Sequence, residues 1–107
     1  MYTRNKEIQV TELGGGVRRK ILSHAPNLMT VELHFDKGAV GAPHSHPHEQ
    51  IGYIISGKLE YTEDGNTTIL ETGDTYYVAP DVVHGVVALE ETWLLDIFTP
   101  EREDFLK

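Results

Sequence analysis

The sequence predicts an all-β fold, a small single-domain sandwich or barrel of short antiparallel strands, and three observations carry that prediction. Apolar and polar residues alternate with period two in several segments. Turn signals separate these segments at intervals of about 8–12 residues. The chain has 107 residues, 39% of them hydrophobic and 24% charged, which suits one packed core rather than two or a disordered chain.

The elements follow in order. Gly14-Gly15-Gly16 is too near the start to divide two cores and reads as a loop or bulge. In Leu28–Phe35, Met29, Val31, Leu33 and Phe35 alternate with Thr30, Glu32 and His34, the pattern of a half-buried strand. Ile51–Tyr61 is rich in β-branched and aromatic residues and reads as strand. Glu63-Asp64-Gly65-Asn66 is a hairpin turn signal leading into the short strand Thr67–Leu70. Thr72-Gly73-Asp74 is a second turn, and Thr75–Val78, Gly85–Leu89 and Thr92–Phe98 complete the strands. Pro100–Lys107 allows a short helical turn, with Pro at a first-turn position and acidic residues early.

Charge and composition exclude several classes of function. Nine Lys and Arg against 17 Asp and Glu give a net charge of −8, the wrong sign for a nucleic-acid or anionic-membrane surface. The absence of cysteine removes disulfides, thiolate metal sites, iron–sulfur clusters and thiol nucleophiles. No stretch approaches the ~18 apolar residues of a membrane span. Met1–Glu7 has no apolar run, so no signal peptide is expected and the cytoplasm is the expected location.

Three of the six histidines, His44, His46 and His48, lie within five residues. Along an extended chain, residues two apart point the same way, so neighbouring imidazoles can converge on one ion. His34 alternates with core residues and is expected to be exposed. His24 falls in a turn with Ala25-Pro26-Asn27.

The spacing of Gly38, His44, His46, Gln50 and Gly57 resembles the first motif of the cupin family, in which a Glu normally stands where Gln50 stands here. The region from Gly73 to His84 and on to Ala88 resembles the second motif. There Pro80 is one position late, Asp81 replaces the usual Gly and Ala88 the usual Asn. Motif one covers residues 38–57 and motif two covers 73–88 of one domain spanning 1–107. The resemblance implies the cupin β-barrel, a double-stranded β-helix or jelly roll. It also implies one divalent transition metal (Ni, Zn, Fe or Mn) held by His44, His46, His84 and a fourth ligand. Glu49 is the more familiar ligand type, but only Gln50 shares parity with His44 and His46, so Gln50 is taken as the fourth ligand. Three imidazoles and an amide leave the ion its full positive charge, which favours Lewis acidity and an anionic ligand. His48 is read as a residue of the pocket rim beyond Pro47.

Near the C-terminus Asp96 interrupts the hydrophobic run Trp93-Leu-Leu-Asp-Ile-Phe98, where an ionised carboxylate is costly unless paired. Parity puts Leu94, Asp96 and Phe98 on one face and Trp93, Leu95 and Ile97 on the other. Together with residues 44–50, Gly-Val-Arg-Arg at 16–19 and Arg102, this tail resembles the KdgF-type branch of the cupins. That resemblance implies a metal-dependent enzyme of pectin or alginate breakdown that converts 4,5-unsaturated monouronates to linear keto forms. Asp96 would be general acid/base, Arg102 a carboxylate clamp and Phe98 a pocket wall. A cupin dioxygenase and a non-enzymatic sugar-acid binding or sensor module are the alternatives. The expected partner is a small anionic sugar or organic acid, with no nucleic acid and no membrane. The resemblance also implies a homodimer, for which the Trp93-Leu95-Ile97 face and the Met29–Phe35 strand would supply apolar surface.

Overall fold

The computed structural model describes all residues from Met1 to Lys107. Ten strands form two antiparallel sheets. They are β1 (Thr11–Gly14), β2 (Val17–Ala25), β3 (Leu28–Phe35), β4 (Val40–His44), β5 (Glu49–Ser56), β6 (Lys58–Glu63), β7 (Asn66–Glu71), β8 (Thr75–Val78), β9 (His84–Ala88) and β10 (Thr92–Thr99). One sheet has the order β1-β2-β3-β10-β5-β8 and the other β4-β9-β6-β7. Helix is confined to two 3-10 turns, Asn5–Glu7 and Glu103–Leu106, so the C-terminal helical expectation shrinks to a single turn. No helix is long and apolar enough to cross a membrane.

The sheets enclose a core in which each strand contributes its alternate residues. Val31 and Phe35 from β3, Ile54 from β5, Leu59 and Tyr61 from β6, Val78 from β8 and Leu94 from β10 are all buried. The alternation expected in Leu28–Phe35 therefore serves the core, and that strand leaves little apolar surface for a partner. The single run Ile51–Tyr61 is divided by Gly57 into β5 and β6, which belong to different sheets. Gly57 has φ +113°, and a Cβ there would lie 2.4 Å from the Glu91 carbonyl oxygen, so only glycine lets the chain cross between the layers. The β2 strand carries no clean alternation and was not expected from the sequence.

Register then sets three rows of inward-facing residues across β3, β10, β5 and β8. Leu33, Leu94 and Ile54 form one row. Val31, Asp96, Gly52 and Tyr76 form the next, and Met29, Phe98, Gln50 and Val78 the third. The middle row works because Gly52 has no side chain. A Cβ at Gly52 would sit 2.2 Å from Cζ of Tyr76, whose ring lies over it and carries the hydroxyl to Asp96. Gly52→Ala should cost about 1–3 kcal/mol through overpacking. Equilibrium urea denaturation measures this, and an unchanged midpoint would show that the Tyr76 ring is not wedged against that backbone.

Candidate metal centre

The candidate site spans both sheets. His44 closes β4 directly opposite His84, which opens β9 of the same sheet. Gln50 comes from β5 of the other sheet. His46 sits in the loop between β4 and β5, where its carbonyl accepts a hydrogen bond from the Asp81 amide at 2.8 Å. The chain thus leaves the strand after His44, and the convergence of His44, His46 and Gln50 comes from this loop rather than from parity along one extended strand.

The nitrogens of His44, His46 and His84 lie within 4.8 Å of one another. Each ring is oriented in the same way. Nδ1 faces a backbone carbonyl two residues away: Ala42 for His44 at 2.9 Å, His48 for His46 at 3.2 Å and Val82 for His84 at 3.0 Å. A neutral imidazole that donates from Nδ1 leaves Nε2 as a bare lone pair. Nε2 of His84 is buried with no hydrogen-bond partner. Burial is the main cause that pushes both His46 and His84 below the usual histidine range, which keeps the rings neutral.

His46 presents a conflict that a cation resolves. Its Nε2 lies 2.8 Å from Oε1 of Gln50 while its Nδ1 faces the His48 carbonyl. Both ring nitrogens therefore meet acceptors, and a neutral ring has one proton for the two. A divalent ion between Nε2 and Oε1 would satisfy both lone pairs. The orphaned Nε2 of His84 and this facing pair fit a metal bound by His44, His46, His84 and Gln50.

The other predicted residues divide clearly. Glu49 points outward, where its Oε2 accepts a 2.6 Å hydrogen bond from the Tyr77 hydroxyl. His48 turns toward the C-terminal segment, and its Nε2 donates to the Glu101 carbonyl at 3.1 Å. His34 is half-buried rather than exposed, because its ring stacks on Trp93 with centroids 4.0 Å apart. His24 Nδ1 lies 2.8 Å from Glu101 Oε2.

A cavity of about 280 Å³ opens beside the histidines and is lined by His44, His84, Gln50, Asp96, Phe98 and Arg102, among others. Asp96 is 5% exposed, faces this cavity and accepts a 3.2 Å hydrogen bond from the Tyr76 hydroxyl. Burial raises its carboxyl to about 6, while Gln50, Tyr76 and Arg102 oppose that rise. Burial, with Asp96 adjacent, also lifts the Tyr76 hydroxyl well above the tyrosine range, so it remains a donor. Phe98 meets the His46 ring edge to face at 5.6 Å. The Arg102 guanidinium lies 5.2 Å from the Phe98 ring and is forked by Asp104, Nε to Oδ1 at 3.1 Å and Nη2 to Oδ2 at 2.9 Å. Arg102 therefore both lines the cavity and forms a local ion pair.

The sequence reading missed Tyr76 and Arg19. Tyr76 has the inward parity of Val78, but nothing local marks its pairing with Asp96, and β2 shows no alternation that would single out Arg19.

Comparison with known proteins agrees with this architecture. The family model for the cupin domain matches residues 31–98. The chain is 46% identical over 107 residues to the pectin degradation protein KdgF of Dickeya dadantii, covering 98% of this chain and 97% of that protein. Among solved structures, KdgF from Halomonas sp. superposes with a TM-score of 0.94 at 39% identity, covering 98% of this chain and 97% of that one. An RmlC-like cupin from Shewanella frigidimarina superposes with a TM-score of 0.94 at 38% identity, covering 97% and 94%.

If the four side chains hold one ion, adding Zn²⁺ or Ni²⁺ should raise the melting temperature of metal-stripped protein, since a ligand of the native state stabilises it by mass action. His84→Ala should abolish most of that rise. Equal stabilisation of the variant and the parent would place the ion elsewhere.

Proposed function

The chain belongs to the cupin family, and from that premise we propose that it is a metal-dependent enzyme converting 4,5-unsaturated monouronates, from pectin or alginate breakdown, to their linear keto forms. One observation carries the proposal. A single cavity is lined by His44, His84 and Gln50, by the buried Asp96 carboxylate and by Arg102, with His46 facing Gln50 at 2.8 Å. The similarity to the KdgF proteins named above supports the choice of substrate. The cavity is small for a ligand site and suits one sugar ring rather than a chain.

The substrate is a cyclic hemiacetal whose ring oxygen is also an enol-ether oxygen conjugated to a carboxylate. Ring opening removes the proton of the anomeric hydroxyl, forms the aldehyde and breaks the bond from the anomeric carbon to the ring oxygen. The released electron pair leaves an enolate, which becomes the ketone when its terminal carbon is protonated. The net change moves one proton and adds no atom.

The residues divide this work. A divalent ion bound by His44, His46, Gln50 and His84 would act as a Lewis acid toward an oxygen of the substrate. Because these ligands are neutral, the ion would keep its full charge. Ni, Zn, Fe and Mn all suit such a nitrogen- and oxygen-rich set. Asp96 serves as the general acid/base that takes and returns the proton, with Tyr76 fixing its orientation through the 3.2 Å hydrogen bond. Arg102, pinned by Asp104, offers its remaining donors to the substrate carboxylate. Phe98 forms the wall between the His46 ring and Arg102.

The proposal includes a homodimer. The outward face of the six-stranded sheet exposes Ile51, Tyr53, Ile55, Tyr77 and Trp93. These alternate with the inward rows on β5, β8 and β10 and lie on one surface of one sheet. A contiguous apolar patch of this kind marks an interface more often than free surface. Light scattering at micromolar concentration should give twice the chain mass, and a monomer mass removes this part of the proposal.

The enzymatic part is tested by proton NMR on metal-loaded protein with unsaturated galacturonate or mannuronate, following loss of the vinyl proton against the spontaneous rate. Asp96→Asn should lower turnover about 10²–10⁴-fold with metal content unchanged. Arg102→Ala should act chiefly on substrate binding. His46→Ala should lose metal and activity together. Wild-type turnover by Asp96→Asn would overturn the mechanism.

A further inference from the structure

Arg19 has no role in the chemistry above, yet its position is costly. The chain contains four arginines, Arg4, Arg18, Arg19 and Arg102. Three of them are paired: Arg4 with Glu7 at 3.7 Å, Arg18 with Asp36 at 3.0 Å and Glu12 at 3.3 Å, and Arg102 with Asp104 at 2.9 Å. Arg19 has no ion pair, and its Nε is shut off from solvent without a hydrogen-bond partner. It lies on β2 between Val17 and Ile21 in parity and lines the same cavity as His44, Gln50, Asp96 and Arg102. Burial, reinforced by Arg102 and opposed by Asp104, lowers the pKa of its guanidinium.

Its neighbours sharpen the point. The Arg19 guanidinium carbon lies 4.3 Å from the centroid of the Phe105 ring, and that of Arg102 lies 4.2 Å from the same centroid. The ring faces both charges and offsets part of their repulsion. Asp104 supplies one negative charge, taken by Arg102 through both oxygens. Around the Phe105 ring two guanidinium groups meet one carboxylate, so Arg19 is left without a paired anion there; Asp96, the other carboxylate of the cavity, feels Arg102 but is hydrogen-bonded by Tyr76. Phe105 meets Phe98 at 5.8 Å, and Phe98 in turn meets His46 at 5.6 Å, so a pair of aromatic rings separates this unpaired cation from the histidines.

We propose that Arg19, with the free edge of Arg102, forms a monocarboxylate-binding subsite at the Phe105 end of the cavity, so that the substrate carboxylate binds there and its hydroxyl and ring oxygens face the histidines. A planar carboxylate matches the guanidinium fork and carries the single charge that would pair Arg19, whereas a phosphate dianion would leave a negative surplus there. The assignment of the acid to a uronate rests on the functional reading above. The charge preference of the subsite does not.

The test compares wild type with Arg19→Gln and Arg19→Lys, by calorimetry, for binding of saturated galacturonate and of galactose, which differ in the carboxylate. Wild type should prefer galacturonate. Arg19→Gln should lose that preference, with galacturonate affinity falling roughly 10- to 100-fold and galactose affinity unchanged. Arg19→Lys should retain part of it. Thermal denaturation supplies the second readout, since deleting an unpaired, half-buried charge should leave the melting temperature equal or higher, whereas deleting a structural cation would lower it. A wild type without preference for the carboxylate, or an Arg19→Gln variant that keeps it, overturns the proposal. Charge-selective binding without turnover of unsaturated uronate would leave the subsite standing and refute the enzymatic reading.

Discussion

The burial of the Asp96 carboxylate is the constraint around which the rest of this molecule is arranged. A carboxylate at 5% exposure on a strand between two others is destabilising unless something compensates it. The compensation comes from across the sheet. Asp96 stands opposite Gly52, which stands opposite Tyr76, so the hydroxyl of Tyr76 reaches the carboxylate only because the intervening residue has no side chain. Glycine in a central strand weakens it. Its presence here is explained by the ring that must pass over it. Moving β10 by one residue relative to β5 would turn Asp96 to the outer face and bring Ile97 inward, so the register of this one pair of strands determines whether the cavity has an acid.

The histidines show a parallel economy. Three rings use short-range backbone carbonyls to fix Nδ1, and all three therefore present Nε2. This arrangement is local in sequence for each ring and non-local for the set, since β4 and β9 bring His44 against His84 while the loop after β4 supplies His46. Gln50 joins them from the opposite sheet, next to Phe98 in the register of β5 and β10. His44, His84 and Gln50 belong both to the cavity lining and to the candidate metal centre, so a change in sheet pairing would disturb both.

How much of this was legible in the sequence depended on whether a signal was local. Period-two alternation gave Leu28–Phe35 and Thr92–Phe98 and the inward parity of Leu94, Asp96 and Phe98. Spacing drew attention to the histidines, and the resemblance together with parity proposed Gln50 beside them. Parity was the wrong physical reason for their convergence, because Pro47 and the loop around it interrupt the strand. β2 escaped because a strand covered on both faces by polar and half-buried contacts shows no alternation. Arg18 and Lys20 face outward to Asp36 and Asn5, and Arg19 faces inward. Three consecutive cations in sequence look like a solvated patch, and only the contacts of the folded chain separate Arg19, which has no ion pair, from Arg18 and Lys20. Tyr76 was hidden for a similar reason, since its partner Asp96 is twenty residues away and the glycine between them belongs to a third strand.

The overall charge is −8, whereas at the Phe105 end of the cavity Arg19 stands without an ion pair beside Arg102, and this contrast bears on how an anion would reach the site. At a Debye length of about 8 Å in physiological salt, the field of the distant surface carboxylates is largely screened. Inside the cavity, the unpaired charge of Arg19 acts across a few ångströms of low-dielectric space, where screening is weak. An acidic surface therefore slows the encounter with an anion more than it weakens the bound state. It also repels polyanions, whose many charges couple to the surface potential more strongly than the single charge of a monomeric acid. A surface repulsive to long acidic chains and a cavity of about 280 Å³ that holds one cation without an ion pair fit the monomeric acid proposed above better than a polymer.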